Sequence, residues 1–121
     1  MQHFAASYTP DEASFSATFP RLVECKSALF LGADCDGFLS AYLLAHEIPT
    51  LYANGGILQI SELFVDEPRR GSGLGKALVE AAVTHAWQQG FAETVVPTRR
   101  AAPFYEKLGF ERTAELLKLR R

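Results

Sequence analysis

Three glycines alternate in Arg70-Gly71-Ser72-Gly73-Leu74-Gly75, directly before an apolar-periodic stretch that starts at Lys76. The first N–H groups of a helix lack intrahelical partners, and the helix dipole adds partial positive charge there. Glycines let a phosphate come close to such amides, so this turn reads as a pyrophosphate cradle rather than as a ligand-free loop. Two common phosphate binders do not fit. A Walker A loop ending at Gly75-Lys76 needs Gly at 70 and Ser or Thr at 77, where the chain has Arg70 and Ala77. A G-x-G-x-x-G fingerprint starting at Gly71 places Lys76 where its last glycine belongs. A nucleotide triphosphatase and a Rossmann dehydrogenase are both disfavoured.

Glu62 is the candidate proton acceptor. Strand alternation puts it on one face with Leu58, Ile60 and Phe64. Partial desolvation there would raise a carboxyl pKa toward the range useful for a base. A bulge at this point would instead turn Glu62 out to solvent, and a water relay or the substrate's own ionisation would replace it. Other chemistry is poorly supported. His3, His46 and His85 lack metal-ligand spacing, so no metal is expected. No nucleophile elbow supports Ser-His-Asp catalysis, and Cys25 and Cys35 read as ordinary thiols.

These residues need a frame. Residues 11–25 carry Phe15, Phe19, Leu22 and Val23 at helical spacing interrupted by Pro20, which predicts one or two short helices. Residues 27–31 and 38–45 read as strands around a hairpin signal, Asp36-Gly37. Asn54-Gly55-Gly56 is a second turn before a strand at 57–65, giving an antiparallel meander. A helix over 76–89 has a polar stripe at Lys76, Glu80, Thr84 and Gln88. Its packing face is Leu74, Leu78, Ala81, Ala82 and His85, with Val79, Val83 and Ala86 beside it and Gly90 as its stop. A short strand at 94–96, a short helix at 101–108 closed by Gly109, and a strand-like run from Phe110 to the end complete the chain. The fold expected is α/β (α+β), with a mixed, mostly antiparallel central sheet flanked by helices.

With 121 residues, 48% hydrophobic and 21% charged, the chain is sized for a single domain, 1–121, able to bury a core without disulfides or metals. Twelve Lys+Arg against 14 Asp+Glu give a net charge of -2, which argues against nucleic acid and polybasic membrane binding. No apolar run approaches the ~20 residues of a membrane span. The start has no basic, then apolar, secretory pattern, and two cysteines make no disulfide framework, so a cytoplasmic location is expected.

Arg70-x-x-Gly73-x-Gly75 resembles the Arg/Gln-x-x-Gly-x-Gly/Ala signature of the GNAT superfamily of N-acetyltransferases. Glu62-Leu63-Phe64-Val65-Asp66 resembles the strand leading into that signature. Phe104-Tyr105-Glu106-Lys107-Leu108-Gly109-Phe110 resembles the family's downstream helix and turn. The likeness covers roughly residue 28 to the end.

The resemblance implies transfer of acetyl from acetyl-CoA, as co-substrate and without a metal, directly to an amine of a small molecule, peptide or protein. Leu63 and Val65, with Phe64 between them, would line the pantetheine arm like an added strand. Amides of Arg70, Gly71, Ser72, Gly73, Leu74, Gly75 and Lys76 would hold the pyrophosphate. Arg70 would act mainly through its backbone, with its side chain left for steering, and Arg69, Arg99 and Arg100 would meet the remaining phosphate charge. Thr98, where many members carry Asn, and Ala101 complete the cofactor-binding set. Tyr105 stands where the family places a tyrosine that donates a proton to the coenzyme sulfur. Only ten residues precede 11–25, so the family's first strand–helix pair, one wall of the amine pocket, is expected to be missing. An edge or face left uncovered by that loss makes a homodimer the expected assembly. A non-catalytic acyl-CoA-binding or interaction module of the same fold is the alternative.

Overall fold

The computed structural model describes residues 27–35, 38–51, 55–98 and 100–121. Strands β1 (Ala28–Cys35), β2 (Phe38–Ile48) and β3 (Ile57–Val65) are rich in Leu, Ile and Phe and pair antiparallel in sequence order. Leu31 lies opposite Leu43, and Leu43 opposite Leu63, so one face is apolar across all three strands. The long helix α1 (Leu74–Gln88) then returns the chain to β4 (Glu93–Val95), which pairs parallel with the start of β3. A short helix, α2 (Ala102–Glu106), follows. The sheet is mixed and mostly antiparallel, in the order β1-β2-β3-β4, as the sequence predicts.

The core lies between one sheet face and α1. Leu43, Leu58, Ile60, Leu63 and Val65 cluster with Leu78, Val79, Ala82, Ala86 and Tyr105. Each fully buried aliphatic side chain of this kind is worth about 1.5–3 kcal/mol of transfer free energy. The polar stripe Lys76, Glu80, Thr84 and Gln88 is exposed on the far side of α1. Gly90, at φ 80°, follows the end of the helix.

Four expectations need correction. The helix starts at Leu74, two residues early, and its buried stripe runs Gly75, Leu78, Val79, Ala82, Ala86. Ala81, assigned to the packing face, is exposed, because at about 100° per residue it falls roughly a third of a turn away from that stripe. The helix over 101–108 is shorter, Ala102–Glu106. The run from Phe110 forms no strand: residues 111–121 are exposed, Leu116, Leu117 and Leu119 included. Apart from Thr113 these residues are Glu, Arg, Ala, Leu and Lys, types that favour helix over strand. The helices expected over 11–25, the shortened start and the Asp36-Gly37 turn lie outside the described residues. Among the described residues no helix is long and apolar enough to cross a membrane.

Candidate functional site

β3 carries a bulge. Leu44 pairs with Glu62 and Ala45 with Ile60, which leaves Ser61 as the extra residue. An extra residue reverses the alternation beyond it. Leu58 and Ile60 before the bulge, and Leu63 and Val65 after it, all point to the core. Glu62 therefore leaves the face of Leu58 and Ile60 and shares the opposite one with Phe64. Nor does it simply turn to solvent. It is half-buried and accepts a hydrogen bond on Oε1 from the Tyr42 hydroxyl at 3.1 Å. Tyr42 is itself buried, with its ring stacked on Phe30 at 5.7 Å and tilted against Phe64 at 5.5 Å. Burial first, then the neighbouring Glu62 charge and hydrogen bond, push the Tyr42 phenol well above its usual range. At the bulge itself, Ser61 Oγ lies 3.1 Å from His46 Nδ1.

The same strand has an open edge. Pairing with β4 covers only Ile57, Leu58 and Gln59 of β3. β4 ends at Val95, and Pro97 two residues on has no N–H to continue a ladder. Asp66 N–H donates to Ser40 C=O on β2 at 2.7 Å. Main-chain groups alternate sides along an antiparallel strand, so those of Phe64 also face β2, while those of Leu63 and Val65 face the side β4 has left. The Arg70 side chain confirms this direction: its Nε donates to Val65 C=O at 3.2 Å. Arg70 is thus engaged through its guanidinium, contrary to the expectation of a side chain left for steering.

The glycine turn sits beside this edge. Gly73 caps α1 in the left-handed region at φ 91°, with no side-chain cap and no acidic residue in the first turn. Ala77 N–H is the first to bond back, to Gly73 C=O at 3.0 Å, which leaves the Leu74, Gly75 and Lys76 amides directed out of the helix start. A Cβ added at Gly71 or Gly73 would meet nothing within 4 Å, so the space in front of these amides is open. Ser72 Oγ donates to Arg69 C=O and closes the turn.

Gly75 is the point where three elements meet. A Cβ there would lie 3.5 Å from Phe104 of α2 and 3.6 and 3.8 Å from Val65 and Leu63 of β3. These are ordinary contact distances. Gly75→Ala should therefore fold with stability equal to the parent or slightly above it, from helix propensity. Gly75→Leu should lose about 1–3 kcal/mol by overpacking, read as a lower urea midpoint. Equal midpoints for the two variants would mean that helix and strand are not in close contact here.

The α2 side of this junction supplies Tyr105. It is 1% exposed, held edge-on by Phe104 (5.0 Å) and Phe110 (5.4 Å), and it belongs to the cluster containing Leu63 and Val65. Its hydroxyl has no hydrogen-bond partner among the described residues, as is true of the buried Thr94 Oγ1, and burial pushes the phenol above its ordinary value. A buried hydroxyl without a protein partner is costly to keep unless water or a ligand supplies one. Thr98 Oγ1 accepts from the N–H of the buried Ala101 at 3.2 Å and ties the turn that enters α2, the accepting role open to Thr in place of Asn; Ala101, the N-cap itself, offers α2 no side-chain cap. Arg99 lies outside the described residues, and Arg100 is exposed.

The helix start and the edge of β3 thus meet at Gly75, and Tyr105 belongs to the same cluster as Leu63 and Val65 of that edge. The sequence profile of the Acetyltransferase (GNAT) family matches residues 2–110. The chain belongs to the GNAT acetyltransferase family. It is similar to human N-acetyltransferase 8B, 39% identical over 62 residues, covering 48% of this chain and 27% of that protein. The match thus spans about a quarter of that relative's length. Among solved structures it resembles one titled as a transcriptional regulator from Bacillus halodurans, with TM-score 0.82 and 25% identity over 90% of this chain and 76% of that one. It also shares its fold with glucosamine-6-phosphate N-acetyltransferase from Arabidopsis thaliana, with TM-score 0.80 and 19% identity over 95% and 82% of the two chains.

Other titratable groups of this GNAT chain lie apart from the junction. His85 Nε2 is 3.3 Å from Glu47 Oε2, tying α1 to β2. Among the described residues, no group of three or more His, Cys, Asp or Glu is placed to hold a metal. The residue that sequence reasoning missed is Tyr42. Its relation to Glu62 depends on the β2–β3 register, which alternation alone does not give.

Proposed function

We propose that this GNAT domain transfers an acetyl group from acetyl-CoA directly to an amine of a small molecule, peptide or protein. The observation that supports this most is Tyr105, buried in the same cluster as Leu63 and Val65 of β3, with no hydrogen-bond partner for its hydroxyl among the described residues. The residues present fit acetyl-CoA. The amides of Leu74, Gly75 and Lys76 and the open space at Gly71 and Gly73 suit a pyrophosphate. The main-chain groups of Leu63 and the N–H of Val65 suit the amides of the pantetheine arm, with Val65 C=O already engaged by Arg70. Bound there, acetyl-CoA supplies a thioester carbon open to attack by a neutral amine.

The chain's own residues then divide the proton work. Glu62, half-buried at the bulge, accepts the proton that the amine must lose. Tyr105 keeps its proton throughout the working pH range, because burial raises its pKa. It is a weaker acid than a thiol of ordinary pKa ~8.5, so it serves first as a hydrogen-bond donor to charge developing on sulfur. Net protonation of the thiolate follows once the amine's proton is released.

Two measurements on one sample test the reading. Acetyl-CoA should raise the Tm by mass action, and thiol release should then be detected with at least one class in a panel of polyamines, amino sugars, amino acids and peptides. A Tm shift without thiol release across that panel would make the chain a binding module. The absence of any shift would remove acetyl-CoA from the proposal.

A further inference from the structure

We infer that Tyr42 is a positioning residue for Glu62: it reaches across from β2 and holds the carboxylate at the bulge in one orientation. This rests on Glu62 being the proton acceptor. The geometry is built from both strands. Tyr42 pairs with Phe64 in the register, two residues from Glu62, and its hydroxyl donates to Oε1 at 3.1 Å. Its ring is clamped between Phe30 and Phe64, which fixes where the hydroxyl points. The bulge at Ser61 brings Glu62 onto this face, and without it the carboxylate would point into the core with Leu58 and Ile60.

Among the described side chains, the titratable groups on the β2 side of this face are Tyr42 and, two alternations along, His46, which is held at Ser61. From β1, Phe30 stacks on the Tyr42 ring. A hydroxyl that stays protonated can only donate to the carboxylate, which keeps the contact one-directional. Burial and the Glu62 charge keep Tyr42 protonated through the range in which amines are acetylated.

Tyr42→Phe keeps the ring stack and removes the hydroxyl alone. With acetyl-CoA and an accepted amine, its kcat should fall about tenfold, with KM for acetyl-CoA unchanged. Its KM for the amine should also stay at the parent value, so the loss falls on kcat alone. A purely structural role would lower the Tm and raise KM alongside any loss in kcat, and this result overturns the inference. Glu62→Gln in the same assay separates the two ideas. If Glu62→Gln loses activity while Tyr42→Phe turns over at the parent rate, Glu62 remains the base and Tyr42 does not position it. If Glu62→Gln turns over at the parent rate, the base assignment and this inference fall together.

Discussion

Tyr105→Phe should slow acetyl transfer by ~10²–10⁴ while leaving acetyl-CoA affinity nearly constant, the range expected for a positioned proton donor. The substitution is unusually clean. The hydroxyl has no partner among the described residues, so removing it breaks no hydrogen bond with them. The ring keeps its edge-on contacts with Phe104 and Phe110. Stability should therefore be unchanged or rise slightly, because an unsatisfied buried polar atom is deleted. A rate that falls while the Tm holds or climbs cannot come from damaged packing. The parent pH profile should also show no alkaline limb belonging to Tyr105 near 10, since burial moves the phenol above that value. A Tyr105→Phe enzyme that turns over at the parent rate with a good acceptor would remove the residue from the chemistry. Weaker acetyl-CoA binding at constant kcat would make the hydroxyl a binding group instead.

What the sequence made legible follows from how local each signal is. β3 is read over its full length because Ile57 to Val65 lies between a glycine turn and a polar loop, and both bounds are written in neighbouring residues. The glycine turn and its helix are equally local, since left-handed φ values at Gly71 and Gly73 can be expected from residue type alone. Glu62 is different. Period-2 alternation predicts its face correctly only if the ladder is unbroken, and whether Ser61 is inserted depends on how β2 aligns across from it. The same non-local register hides Tyr42 as the partner of Glu62 and the Arg70 side chain as the partner of Val65 C=O. The end of the chain fails for a different reason. Apart from Phe110 and Thr113, residues 110–121 are Glu, Arg, Ala, Leu and Lys, types that favour helix over strand, so a strand reading there runs against local propensity.

Gly73→Val should abolish the acetyl-CoA-dependent rise in Tm. In the parent, a ligand at 100 times its Kd adds about 2.7 kcal/mol of apparent stability, roughly 10 °C for a domain of this size. ATP and NADH at the same concentration should add nothing. An added side chain at Gly73 points into open space, so it meets no clash with the protein itself. That space is where a pyrophosphate would have to approach the Leu74, Gly75 and Lys76 amides. The backbone at φ 91° complicates the variant, since a β-branched residue is strained in the left-handed region and costs of order 1–3 kcal/mol. Gly73→Asn separates strain from obstruction, because Asn tolerates that conformation while still placing atoms in front of the amides. Its Tm without ligand should stay close to the parent, and its response to acetyl-CoA should still be lost or sharply reduced. If both variants answer acetyl-CoA with the full parental shift, the coenzyme binds elsewhere, and the open helix start at Gly73 has no part in holding it.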